Sequence, residues 1–162
     1  MDLSINFISG HLKDLYFYNS LTTLILNQNL ISGDLTFFDN HGLPFQFLIL
    51  GLSGNKISGR ISNQIIKLSY YTKELYLDNN NLTGELPPNL PPSIEVINLH
   101  NNKLVGTIPN SWGQLKRLRQ INLEGNSICG CVPALWNQHN WISCNLNGLK
   151  FSCECEIPRA CA

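Results

Sequence analysis

The sequence predicts an α/β repeat solenoid. It is expected to be a right-handed superhelix with short parallel β-strands on its concave face, 3-10 and loop segments on its convex side, and a cysteine-rich C-terminal cap. Two observations carry this reading. One ten-residue pattern returns along the chain with Asn at its sixth place, and all six cysteines fall between positions 129 and 161. Self-similarity at a fixed period is the mark of stacked supersecondary units.

The pattern reads LILNQNLISG from Leu24, LGLSGNKISG from Leu50, LYLDNNNLTG from Leu75, INLHNNKLVG from Ile97 and INLEGNSICG from Ile121. The shared residues Asn29, Asn55, Asn80, Asn102 and Asn126 are 26, 25, 22 and 24 positions apart. MDLSINFISG, from Met1 to Gly10, fits the same register with Met1 in the first apolar place, so the chain is expected to begin in mid-strand. Each rung opens with an apolar-x-Leu step that alternates faces, placing apolar side chains in the core and the x residues on the concave surface. The Asn is expected to turn inward where the strand ends and to satisfy backbone groups of adjacent turns. Gly33, Gly59, Gly84, Gly106 and Gly130 are read as tight turns after the second apolar position.

After the Gly come Glu85-Leu86-Pro87, Thr107-Ile108-Pro109 and Cys131-Val132-Pro133. The whole motif, L-x-L-x-x-N-x-L-x-G-x-I-P, resembles the plant-type extracellular leucine-rich repeats. That family includes receptor-like proteins, receptor kinase ectodomains and polygalacturonase-inhibiting proteins. The resemblance covers about residues 1–135, roughly six rungs with the first truncated, and is far more specific for architecture than for function. Asp34-Leu35-Thr36 and Arg60-Ile61-Ser62 lack the Pro, residues 37–47 are irregular, and the cysteine-paired N-terminal cap of complete members is absent.

Residues 136–162 read as a degenerate rung and a disulfide-rich cap. CNLNGLKF, from Cys144 to Phe151, puts Leu149 at the ladder place and sets the pair Cys129 and Cys131 level with the pair Cys153 and Cys155. Disulfides between these two pairs are the favoured reading, with Cys144 and Cys161 as the third bond. Six cysteines allow about 15 connectivities, and a four-cysteine zinc site is the competing reading. The last rung of a solenoid needs a cover, which Trp136, Trp141, Leu146 and Phe151 are suited to supply. No counterpart exists at the first rung, where missing sequence or another chain is expected.

The outward columns are the candidate ligand-binding residues: Glu74, Tyr76 and Asp78; Val96, Asn98 and His100; Gln120, Asn122 and Glu124. Tyr76 is the expected anchor, because large amphipathic side chains carry much of the energy of recognition. Asp78, His100 and Glu124 share one column, the nearest approach to a metal or acid/base constellation, yet an open sheet offers no pocket that excludes water. They are read as contacts. His11, His41 and His139 have no Ser, Cys or carboxylate in a recognisable catalytic spacing. The expectation is therefore no catalytic residue, no metal and no cofactor.

Eleven Lys and Arg balance eleven Asp and Glu, so no broad positive field attracts nucleic acid. No apolar run is long enough to span a membrane. The clustered cysteines and the single sequon Asn81-Leu82-Thr83 point to an oxidising, secretory route with glycosylation at Asn81, whereas the start MDLSINFISGHLKDL has no signal-peptide features. The expectation is a fragment of an extracellular or cell-surface protein. The resemblance implies a module that binds a protein, peptide or glycan ligand on its concave face, within a larger receptor-like or secreted protein. A soluble polygalacturonase-inhibitor-like protein is the alternative, and a structural or ice-binding repeat surface is the alternative of another class.

Overall fold

A computed structural model of the chain describes residues 1–14, 20–36, 38, 46–62, 70–151 and 158–161, with 151 and 160 described by backbone alone. Each rung contributes one strand to each of two sheets. The first sheet holds β2 (Thr23–Ile25), β4 (Ile49–Gly51), β6 (Glu74–Tyr76), β8 (Val96–Asn98), β10 (Gln120–Asn122) and β12 (Ser143–Asn145), in the order β12-β10-β8-β6-β4-β2. Every pairing is parallel, as a solenoid requires, and residues 1–3 extend this sheet through a bridge from Asp2 to Ile25. Apolar residues at the alternating inward places, Leu24, Leu50, Leu75, Ile97 and Ile121, are all buried in one continuous core.

The ladder Asn side chains hold successive rungs together. Asn80 donates from Nδ2 to the carbonyls of Leu52 in the preceding rung, at 2.9 Å, and of Leu77 in its own, at 3.1 Å. Its Oδ1 accepts the Ile57 N–H at 2.9 Å. Asn29, Asn55, Asn102 and Asn126 repeat the arrangement, accepting from Ile8, Ile31, Leu82 and Leu104. Asn29, Asn55, Asn80 and Asn102 are themselves buried, so the backbone groups they meet have no water to turn to.

Beyond the Asn the chain forms a second parallel sheet, which the sequence reading had as turn. It comprises β1 (Ser9–His11), β3 (Leu30–Asp34), β5 (Lys56–Arg60), β7 (Asn81–Glu85), β9 (Lys103–Thr107), β11 (Ser127–Gly130) and β13 (Lys150–Phe151). The repeating glycines lie inside these strands. Gly84 and Gly106 have φ of 79° and 83°, and a Cβ on either would come within 2.9 Å of a side-chain carbon of the preceding rung, from Arg60 and Glu85 respectively. Ser32, Ser58 and Thr83 each donate a hydroxyl back to the Gly carbonyl one rung earlier, at 3.1, 3.4 and 3.2 Å.

Cys129 takes that same place, and this corrects its expected disulfide, whereas the expected bond between Cys144 and Cys161 is present. Its thiol is free and exposed, its Sγ lies 3.4 Å from the Gly106 carbonyl, and the residue opposite it in the next strand is Lys150. The side chain thus leans back over the preceding rung instead of forward. Cys131 is in a disulfide, which removes it from any four-cysteine zinc site, and Cys144 is bonded to Cys161 with Cα atoms 4.5 Å apart. Cys153 and Cys155 lie outside the described residues, as does His41.

On the convex side, 3-10 turns at Asn110–Gln114 and Ala134–Gln138 bury Trp112 and Trp136. Their indoles chain from rung to rung. Trp112 donates to the Pro87 carbonyl, Trp136 to that of Trp112, and Trp141 to that of Trp136, at 2.9, 3.3 and 3.1 Å. Trp136 and Leu146 are buried at the C-terminal end, with Trp141 packed against them, whereas at the first rung Ile5 and Phe7 stand open at 76% and 90% exposure. Among the described residues no helix is long and apolar enough to cross a membrane.

Two outcomes check this architecture. Asn80→Ala leaves the buried Ile57 N–H without its acceptor and takes from the Leu52 and Leu77 carbonyls one of the two ladder amides each accepts, and is expected to cost about 3 kcal/mol in urea unfolding, whereas Asn81→Ala next door, on the exposed face, stays within about 0.5 kcal/mol. Alkylation of the native, unreduced protein followed by peptide mapping is expected to label Cys129 and to spare Cys131, Cys144 and Cys161.

Candidate ligand-binding surface

Strand register sets the outward columns side by side. Glu74, Val96 and Gln120 are direct neighbours, and so are Tyr76, Asn98 and Asn122. A third column, Asp78, His100 and Glu124, follows the strands, held by backbone bonds from Asn79 N to the His100 carbonyl at 2.9 Å and from Asn101 N to the Glu124 carbonyl at 2.8 Å.

Within that third column the side chains form a closed network. Asp78 is only 7% exposed; one carboxylate oxygen accepts the Ser53 hydroxyl and the other accepts the Asn79 amide at 2.8 Å. The same Asn79 amide lies 3.1 Å from His100 Nε2, and His100 Nδ1 lies 2.8 Å from Asn98 Oδ1. An amide donor at Nε2 and a carbonyl acceptor at Nδ1 fit a neutral ring protonated on Nδ1. Asn101 in turn donates to Asn79 Oδ1 at 2.9 Å. His100 Nε2 and Asp78 Oδ2 are 3.9 Å apart, while Glu124 turns the other way and accepts from Asn145 Nδ2 at 2.7 Å. Asp78 is thus a floor that orients its neighbours, not an open contact.

Sequence reasoning gave Asn79 and Asn101 no part in this face, and it missed Ser53 as a partner of Asp78. The signal lay in the fifth place of each rung, which runs Ile5, Gln28, Gly54, Asn79, Asn101, Gly125 and Gly148. All seven have φ between 52° and 75°, a left-handed turn that Asn tolerates better than most side chains and from which its amide reaches along the column.

Tyr76 lies half-buried between these columns and donates its hydroxyl to Glu74 Oε2 at 3.0 Å. Burial first, and then the Glu74 hydrogen bond and charge, push its pKa up to about 12. Both causes favour the neutral phenol, so this face keeps an uncharged ring between acidic neighbours. Among the described residues no group of three or more His, Cys, Asp or Glu side chains is placed to hold a metal ion.

An alkaline absorbance titration is expected to show Tyr76 ionising as a late step near 12, a step that Tyr76→Phe removes. Because folding raises this pKa, the associated stability is intact below the ordinary value of 10.0 and is lost as pH rises from there toward 12. Glu74→Gln is expected to lower the midpoint yet leave it above 10.0, since burial is the larger cause.

Comparison with known proteins agrees with this geometry. The leucine rich repeat family model matches residues 71–128. Receptor-like protein EIX2 of Solanum lycopersicum is 38% identical over 91 residues, which are 56% of this chain and 8% of that protein. The plant peptide hormone receptor RGFR1, solved in complex with RGF2, superposes with a TM-score of 0.82 at 26% identity over 93% of this chain and 24% of that one. The Arabidopsis receptor kinase HAESA, solved with the peptide hormone IDA and the co-receptor SERK1, gives 0.73 at 28% identity over 94% of this chain and 26% of that one. The chain therefore spans less than a tenth of the receptor-like protein and about a quarter of each receptor structure it matches. Repeat motif, ladder geometry and these likenesses together identify the chain as a leucine-rich-repeat solenoid of the plant type.

Proposed function

We propose that this chain is a recognition segment of a larger receptor-like protein and that its concave face receives an extended peptide, with Tyr76 as the anchor. The observation that carries the reading is the preorganised network of Ser53, Asp78, Asn79, His100, Asn98 and Asn101. Fixed polar groups beside one amphipathic ring suit an extended backbone, because little freedom is lost when it binds. The neighbours solved with peptide hormones support the same choice. Val96, Asn98, Gln120, Asn122 and Glu124 then select side chains along the groove.

Both His100 nitrogens are already engaged and Asp78 is buried, so neither is presented as a base or ligand; the site binds and does not catalyse. The Cys144–Cys161 bond suits an oxidising compartment, and in Asn81-Leu82-Thr83 both Asn81 and Thr83 are exposed on the second sheet. We infer an extracellular or cell-surface setting, with sugar on Asn81 leaving the concave face open.

The test is selection of displayed random peptides against the full chain, followed by binding measurements on the enriched sequences. Tyr76→Ala and Asn98→Ala are each expected to weaken binding at least about tenfold, or about 1.4 kcal/mol, while Lys103→Ala on the second sheet leaves it unchanged. Enriched peptides that bind Tyr76→Ala as well as the parent protein would overturn the reading.

A further inference from the structure

A second surface lies on the flank that leads into the concave strands. Tyr71, Ser93, Arg117 and Asn140 stand four residues before the first inward residue of their rungs, and Lys73, Glu95, Arg119 and Ile142 stand two before it. Backbone bonds from Glu95 N to the Lys73 carbonyl, Arg119 N to that of Glu95 and Ile142 N to that of Arg119, at 2.7, 3.0 and 2.8 Å, hold this line in register. Glu95 accepts from Arg119 at 2.7 Å and faces Lys73 at 3.6 Å; the Arg119 hydrogen bond holds its carboxyl below the usual range.

Two clefts open beside this line, and adjacent residues, Arg117 and Lys116, line one each. One is lined by Tyr70, Tyr71, Pro92, Ser93 and Arg117. The other is lined mainly by Gln114, Lys116, Arg119, Leu135, Gln138 and His139. Neither lining contains a carboxylate, and among the described residues Lys116 and Arg117 meet none. Tyr70 and Tyr71 are 64% and 65% exposed, with rings 5.9 Å apart at 82°, so they form a corner. Ser93 Oγ fixes the backbone behind it through the carbonyls of Tyr70 and Thr72, at 2.8 and 2.9 Å. Leu135, in the lining of the second cleft, and Ile142 are exposed as well.

The chain as a whole is neutral. Glu74, Asp78 and Glu124 lie on the concave side, whereas Lys116 and Arg117 stand on this flank with no carboxylate partner among the described residues. Exposed tyrosines beside an uncompensated Arg, with a Lys next to it in the chain, are the composition of a docking site, in which Tyr and Arg carry much of the affinity. The ring pair is edge to face and thus no flat stacking platform, and Ile142 and Leu135 have nothing to offer a polyhydroxylated chain. These features favour protein over glycan.

We propose that this flank is a second docking surface for an acidic protein segment, which sets an apolar side chain in the Tyr70–Tyr71 corner and carboxylates against Arg117 and Lys116. It does not depend on the concave face and leaves that face free, so two partners of different chemistry can be held at once.

The test measures binding of the immobilised full chain to a random glutamate–tyrosine copolymer, to polyglutamate and to polygalacturonate. The paired changes Lys116→Glu with Arg117→Glu, and Tyr70→Ser with Tyr71→Ser, are each expected to weaken copolymer binding at least about tenfold. A charge-matched control on the second sheet, Lys56→Glu with Lys103→Glu, is expected to stay within about twofold. Circular dichroism confirms that each variant is folded, and Arg117→Ala serves as the milder change. Polyglutamate, which lacks an apolar anchor, is expected to bind more weakly than the copolymer. Absence of saturable copolymer binding, equal loss in the control, or tighter polygalacturonate binding lost on the same variants would each overturn the proposal, the last in favour of a glycan site.

Discussion

The structure depends on one constraint: at the end of each concave strand the backbone turns inward and leaves buried polar groups that only a short, two-headed side chain can satisfy. Asn answers it with a donor for carbonyls in two rungs and an acceptor for an amide in the rung before. Because each Asn serves its predecessor as well as itself, rungs are locked in register as well as stacked. Hydrophobic burial supplies most of the driving force, but it is indifferent to small slips along the stack. The directional bonds are what turn a pile of apolar rungs into one superhelix with straight surface columns.

Straight columns are the source of any recognition. A single rung offers three or four outward side chains, whereas Tyr76, Asn98 and Asn122 form a line because strand register repeats from rung to rung. The left-handed turns at Asn79 and Asn101 add amides that tie neighbouring columns together. On the opposite side, glycines at matching places let each rung's side chain lie over the next, and hydroxyls of Ser32, Ser58 and Thr83 stitch the second sheet. One repeat therefore produces two ordered faces and a flank with quite different chemistry.

Much of this was legible because period and place determine which side chains share a column. The ladder residues, the inward Leu and Ile places and the concave columns follow from counting alone. The second sheet was not legible as a strand: its Gly reads locally as a breaker, and only the neighbouring rung shows that positive φ there continues a ladder and makes room for Arg60 or Glu85. Cys129 misled for a similar reason, since its place obeys the hydroxyl column of the repeat and not the cysteine pattern of the cap. Asp78 looked like an exposed contact, but Ser53 and Asn79 close over it. The flank stayed hidden because its places carry Tyr, Ser, Arg and Asn in turn, so no motif repeats there.

Hydrogen exchange resolved to single amides in Asn102→Ala, compared with the parent protein, tests the ladder most directly. In this structure Leu82 N–H is held by Asn102 Oδ1, while Ile31 N–H is held by Asn55. The account predicts that Leu82 exchanges at least about tenfold faster and that Ile31 keeps its protection. Unchanged exchange at Leu82, or equal acceleration at both amides, would contradict the claim that each Asn locks its own pair of rungs.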